Sequence, residues 1–229
     1  MIALAVEGAL TVESEVQRVI LLACLERQGY VALAELTKKV EGLVKYRASA
    51  ALSQNAMLLE RRGVIERVTE GRRVYVKIRP IYVQRARDTL SYRAPIGLIS
   101  GYTWNPDRPS DLTPLRNYVD AIEKLRGDGV EVSYVVCFTT PEAKEARDKL
   151  SVKPNPDEEV LLPFKVYQSE YEKLKEAVVQ VVDRLIYKYD LILDVTPLTK
   201  LFTDILAEVS ERYGLKRIYH FGPLTWIRK

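Results

Sequence analysis

The residues best suited to chemistry in this 229-residue chain close one apolar run, Leu191-Ile-Leu-Asp-Val-Thr-Pro-Leu-Thr-Lys200. Leu191 to Val195 reads as a buried parallel strand, because such strands are short continuous apolar runs. Thr196, Thr199 and Lys200 follow where a helix should begin. A helix N-terminus gathers unpaired N–H groups and favours anions. Two hydroxyls and a lysine at that junction make a phosphate-binding corner. The plainer alternative is a Thr-capped helix with an ordinary surface lysine. Asp194 reads as a cap for the loop.

Other chemistry is thinly supplied. His220 is the only histidine, and Cys24 and Cys137 are the only cysteines, each in an apolar segment. A histidine-based metal site, a Ser-His-Asp triad and a disulfide framework are all poorly supported. No catalytic residue, metal ligand or cofactor is expected. The absence of GxGxxG and of a Walker lysine loop disfavours a dinucleotide coenzyme or a P-loop triphosphate site. No stretch of eighteen apolar residues is free of charge, so a membrane span is not expected. Met1 to Leu10 is interrupted by Glu7 and lacks a basic leader, so it does not read as a signal peptide. The expected location is the cytoplasm.

The net charge of +4 is unevenly spread. Residues 1–93 hold 16 Lys/Arg against 10 Asp/Glu, and residues 94–229 hold 19 against 21. A basic half joined to a slightly acidic one suggests two domains, the first with a polyanion partner. The division expected is 1–79, a basic linker over 80–93, and 94–229.

In the first half, Val16, Val19, Ile20, Ala23 and Cys24 fall on one helical face, with Thr11 or Ser14 as cap and Gly29 as stop. A second helix is expected over Leu33 to Leu43 and a third over Tyr46 to Arg62. The third should turn Ala48, Ala51, Leu52, Leu58 and Leu59 inward. Two strands, Val64–Val68 and Arg73–Ile78, flank a turn at Thr69-Glu-Gly-Arg72. Three helices then two strands is the order of a winged helix-turn-helix, and Leu59-Glu-Arg-Arg-Gly-Val-Ile-Glu-Arg67 resembles the junction of recognition helix and wing in winged-helix transcription regulators. In that arrangement Lys45, Tyr46, Arg47, Ser49, Ser53 and Gln54 face double-stranded DNA from the third helix. Arg72 and Arg73 do so from the wing tip.

From Ala94 strands and helices alternate, which argues for an α/β fold with a parallel sheet. Strands are expected at Ile96–Ser100, Val130–Phe138, Val160–Val166, Leu191–Val195 and Lys216–Phe221, with His220 in the last. A long helix should span Ser169 to Tyr187, and another Pro197 to Tyr213. Ligands in such sheets bind beyond the C-terminal strand ends. There the chain carries Ser100, Gly101, Tyr102 and Thr103, then Thr139-Thr140, then Thr196, Thr199 and Lys200. Trp104 and Trp226 read as packing or interface residues.

Asp194-Val-Thr-Pro-Leu-Thr-Lys200 resembles the Asp-x-Thr-Gly-Gly-Thr-Lys signature of the CRISPR-associated Rossmann fold, the CARF domain. It lies after the fourth strand, as in that family, and Ser100 to Thr103 sits at the family's first ligand loop. The resemblance covers about residues 94–221. It implies a Rossmann-like domain that dimerises and binds a cyclic oligoadenylate, the four-membered ring, at the dimer axis. Ser100, Gly101, Tyr102, Thr103, Thr139, Thr196, Thr199 and Lys200 would then hold the ligand. The two glycines of the signature are Pro197 and Leu198 here. Pro197 removes a backbone donor. Three readings follow: a homodimeric, ligand-responsive transcription regulator of a CRISPR system; a ring nuclease cleaving its cyclic ligand; and a constitutive DNA-binding dimer with a degenerate pocket.

Overall fold

Within the computed structural model, residues 10–45 and 47–228 are described. The chain divides into two units, Met1–Arg93 and Ala94–Lys229.

In the first unit, α1 (Glu15–Arg27) starts at Ser14, whose hydroxyl accepts from the Gln17 N–H at 3.2 Å. Val16, Ile20, Ala23 and Cys24 are buried as the periodicity predicts. The left-handed residue that ends the helix is Gln28, with φ 55°, and not Gly29. After β1 (Val31–Ala32), the helix expected over residues 33–43 is broken. It consists of a 3-10 turn at Leu33–Leu36, α2 (Thr37–Val40) and a second 3-10 turn at Glu41–Leu43. The 3-10 geometry aligns residues three apart, and so buries both Leu33 and Leu36. α3 (Ala48–Arg61) buries Ala48, Leu52, Ala56 and Leu59. Leu58, expected inward, is exposed. β2 (Ile65–Glu70) and β3 (Arg73–Ile78) form an antiparallel hairpin, and β1 pairs with the other side of β3.

Residues 80–93, expected as a linker with a short helix after Pro80, contain that helix as α4 (Pro80–Leu90). Pro80 suits the first turn, where its missing N–H has no intrahelical role. Val83 and Ala86 are fully buried, and α4 packs on α1 within the first unit. The apolar surface removed there makes the segment part of the unit and not a tether.

The second unit is α/β. Its strands are β4 (Ile96–Gly101), β5 (Val132–Thr139), β6 (Glu158–Leu161), β7 (Asp190–Asp194), β8 (Lys216–Tyr219) and β9 (Thr225–Arg228). Between them run α5 (Thr113–Gly127), α6 (Pro141–Lys149), α7 (Phe164–Ser169), α8 (Tyr171–Leu185) and α9 (Lys200–Tyr213). The sheet order is β6-β5-β4-β7-β8-β9, parallel except for β9, which runs antiparallel to β8. Strand addition proceeds outward from β4 to β6, then restarts on the other side with β7. That reversal between β4 and β7 is a topological switch point, the place where such sheets take ligands.

Three segments differ from expectation. The strand expected over 160–166 ends at Leu161, because Pro163 breaks the ladder and starts α7, which buries Val166 and Tyr167. α9 begins at Lys200, not Pro197, since Thr199 is its N-cap and Pro197-Leu198 lie in the loop. The last strand stops at Tyr219, so His220 follows it, and β9 is an added strand that sequence periodicity did not reveal.

Both cysteines are buried, and burial pushes the Cys24 thiol up to about 12 and the Cys137 thiol well above its usual range. The folded protein should therefore leave both thiols unreactive toward Ellman's reagent at mildly alkaline pH. Both should react once the chain is unfolded in concentrated guanidinium.

Candidate ligand site

The polar centre of the second unit is a row at the C-terminal edge of the sheet. Alternate strand residues share a face, which puts Ser100 at the end of β4 and Asp194 at the end of β7 side by side. Asp194 is fully buried. Its Oδ2 accepts from the Ser100 hydroxyl at 2.7 Å and from the Asn117 amide of α5 at 3.4 Å, and lies 3.1 Å from His220 Nε2. Its Oδ1 accepts from the Thr196 N–H at 3.0 Å. The His220 N–H in turn donates to Thr196 Oγ1 at 2.9 Å. Lys124 of α5 donates to the carbonyls of His220 and Gly222. Asp194 thus caps its loop and joins two strands, a helix and the segment after β8.

Most of the hydroxyls expected to meet a ligand are used inside this framework. Ser100 and Thr139 are fully buried, and the Thr139 hydroxyl donates to the Tyr102 carbonyl at 2.8 Å. Tyr102 is also fully buried, with its hydroxyl bonded to Glu159 and the Arg147 guanidinium 5.6 Å from its ring centre. Burial first, and the Glu159 hydrogen bond second, hold the Tyr102 hydroxyl far above the usual tyrosine range. Thr199 donates to the Tyr167 carbonyl at 2.7 Å and accepts from the Phe202 N–H at 3.3 Å. Gly101 is buried beneath Leu198. A Cβ placed on it would come within 2.7 Å of Leu198 Cδ1 and 2.8 Å of the Phe138 carbonyl. Lys200 is exposed in the first turn of α9. Of the eight expected ligand residues, Thr103 and Thr199 reach an open cleft, Lys200 stands at the surface, and the others serve packing or internal bonds.

That cleft has a volume of about 690 Å3 and lies beyond β4, β5, β6 and β7. Trp104, Phe164, Tyr167, Leu198 and Pro106 supply its apolar walls, and Thr103, Asn105, Thr140, Glu142 and Thr199 supply its polar groups. Two helix N-caps, Thr140 of α6 and Thr199 of α9, stand on its lining. Leu198 holds φ at 69°, a left-handed conformation that is costly for a branched side chain. The Trp104 indole nitrogen is buried and has no hydrogen-bond partner among the described residues. Sequence reasoning assigned Trp104 to packing and did not single out Glu142, Phe164 or Tyr167. Phe164 and Tyr167 were hidden by the strand pattern read across Pro163.

In the first unit, Lys45, Arg47, Ser49, Gln54, Arg72 and Arg73 are exposed and Ser53 is half-buried. Tyr46 lies outside the described residues. Lys45, Arg47 and Gln54 border a shallow hollow of about 490 Å3 at the start of α3. Arg72 and Arg73 lie at the turn between β2 and β3. Among the described residues, Lys45, Arg47, Arg72 and Arg73 have no ion-pair partner, whereas Arg62 and Arg67 of the same unit pair with Glu13 and Glu60.

No group of three or more His, Cys, Asp or Glu among the described residues could hold a metal ion, and no described helix is long and apolar enough to cross a membrane. No protein-family model matches the chain, and no curated protein matches its sequence.

Replacing Asp194 with alanine leaves Ser100, Asn117 and the Thr196 N–H without their acceptor. Each buried polar group so stranded costs about 1–3 kcal/mol. Chemical denaturation of Asp194→Ala should show a loss of about 3 kcal/mol or more on that principle. Amide exchange at Thr196 should accelerate beyond the change expected from global stability.

Proposed function

We propose that the protein is a DNA-binding transcription regulator of a CRISPR system. Its first unit acts as a winged helix-turn-helix. Its second is a Rossmann-like, CARF-like sensor of a cyclic oligoadenylate, and two copies work together as a homodimer. The observation that carries the DNA half is the set of exposed cations at the start of α3 and at the β2–β3 turn, which have no ion-pair partner among the described residues. The order α1, β1, α2, α3, β2, β3 supports it, being that of a winged helix. No side chain caps the α3 N-terminus among the described residues; Ala50 and Ala51 donate to the Arg47 carbonyl, which leaves the Ala48 and Ser49 N–H groups to meet a phosphate. Arg47 and Gln54 have the chemistry to read base edges, while Lys45, Arg72 and Arg73 neutralise phosphates. A two-fold dimer matches a palindromic operator and a symmetric cyclic ligand.

The sensing half is supported by the cleft at the switch point, by exposed Lys200 in the first turn of α9, and by the signature at Asp194 to Lys200. The ligand changes DNA affinity by binding one conformation of the protein better than another. One set of observations favours a second reading, a constitutive DNA-binding dimer. Leu198 and Pro197 stand where the signature has glycines, and Ser100, Thr139, Thr196 and Thr199 spend their hydroxyls internally.

Fluorescence anisotropy on an operator selected from a random duplex pool tests the DNA half. The double variant Arg72→Ala/Arg73→Ala should weaken binding at all sequences and lower the salt slope by about 2. Arg47→Ala should relax sequence preference at its contact position. Unchanged binding in all three substitutions removes the DNA reading. Cyclic tetra-adenylate should raise the melting temperature and shift operator affinity, with both effects lost in Lys200→Ala. Neither effect appearing in the parent protein favours the constitutive dimer.

A further inference from the structure

The cleft beyond β4, β5, β6 and β7 has a chemistry of its own. Its volume of about 690 Å3 falls in the range of small-molecule sites, which are mostly apolar and aromatic with a few placed polar groups. Among the described residues, no Lys or Arg belongs to its lining, and the one charged group there is the Glu142 carboxylate. The Thr199 hydroxyl is spent on the Tyr167 carbonyl and the Phe202 N–H, and the Thr140 oxygen accepts from the Ala143 N–H. With both helix N-termini on the lining capped by their own threonines, a cleft that carries a carboxylate and, among the described residues, no cation is a poor site for phosphate. Phe164, by contrast, is 57% exposed at this cleft. An exposed aromatic face on the lining offers a ring a surface to stack on.

Leu198 is the second pointer. A leucine at φ 69° is strained where glycine would not be. The side chain retained at that cost lies on Gly101 and lines the cleft. Gly101 is the residue that makes room for it, since any Cβ there would collide with Leu198 and with the Phe138 carbonyl. Leucine and glycine together build an apolar floor.

We propose that this cleft binds a flat, uncharged aromatic ring against Phe164 and over the Leu198 floor, and that phosphate groups are excluded from it. The proposal rests on reading the six-stranded unit as the ligand-sensing half, and it assigns the ring-binding part of that half to residues outside the Asp194 to Lys200 hydroxyls. In a nucleotide ligand the ring enters here while the phosphates remain outside, on the Lys200 side of the loop.

The two tryptophans supply the readout. Trp226 donates its indole N–H to Asp128 at 2.7 Å and is absent from the cleft lining, so it serves as an internal reference beside Trp104. Titration of the full chain with quinoline, an uncharged ring at neutral pH, is followed on the two indole N–H resonances, assigned with Trp104→Phe. The Trp104 signal should move saturably while that of Trp226 stays in place, and sodium tripolyphosphate should move neither. Phe164→Ala should weaken quinoline binding about fivefold or more, as loss of a stacking ring does. Leu198→Gly should weaken it too, and because relief of the positive φ offsets part of the lost packing the variant should still unfold in one cooperative transition. A silent Trp104 signal, an equal response to tripolyphosphate, or full affinity in both variants overturns the proposal. Quinoline binding with no response to cyclic tetra-adenylate upholds the ring cleft and overturns only the identity of the effector.

Discussion

The second unit depends on one buried carboxylate. Asp194 ends β7 with no exposure to solvent and gathers Ser100 from β4, Asn117 from α5, the Thr196 N–H and His220 from beyond β8. A buried carboxylate is tolerated only when its oxygens are bonded. The elements that bond it are therefore held at fixed separations around the switch point. The loop from Val195 to Thr199 takes its shape from this constraint, and with it the positions of Leu198 in the cleft and of Lys200 in the first turn of α9. The same residue that resembles the start of a ligand-binding signature acts here as the anchor of the loop.

The consequence is a division of labour along the C-terminal edge. Hydroxyls at the strand ends, which are plausible phosphate ligands as residue types, are consumed in holding the edge together. The open surface is left to aromatic and aliphatic side chains from α7, the loop after β4 and the loop before α9. The second polar cluster, in which Tyr102 meets Glu159 and Glu159 meets Arg147 and Lys144, ties the loop after β4 to α6 and β6. It stabilises the cleft wall from behind. The first unit shows the reverse pattern. Arg62 and Arg67 are paired with Glu13 and Glu60, while the cations at the start of α3 and at the hairpin turn are exposed and have no ion-pair partner among the described residues.

Much of this was legible in the sequence. Period-3.6 stripes located α1 and α3, alternation with strands placed α8 and α9, and apolar runs located β4, β5 and β7, because those elements bury one face or both and their composition must say so. The six-stranded, mostly parallel sheet follows from the alternation of such runs after residue 94. The elements that were misread are those whose burial is partial. β6 is short and half-buried, so its pattern merged with that of α7 across Pro163. β9 has one side open to solvent and a four-residue span. The stretch 33–43 keeps a helical apolar period, with Leu33, Leu36, Val40 and Leu43, yet folds as two 3-10 turns around a four-residue helix.

By itself the sequence determined the two-part organisation, the basic character of the first ninety-three residues and the signature around Asp194, since charge and apolar periodicity are local properties. Which hydroxyls are free and which are spent was decided only in three dimensions. Ser100 and Asp194 are ninety-four residues apart, and nothing local to either shows that the parallel register of β4 and β7 brings them into hydrogen-bond contact. The same holds for Leu198 and Gly101. Each is an ordinary loop or strand residue in sequence. Only their close approach, with the leucine at positive φ and the glycine beneath it, turns the gap in the signature into the floor of a cleft.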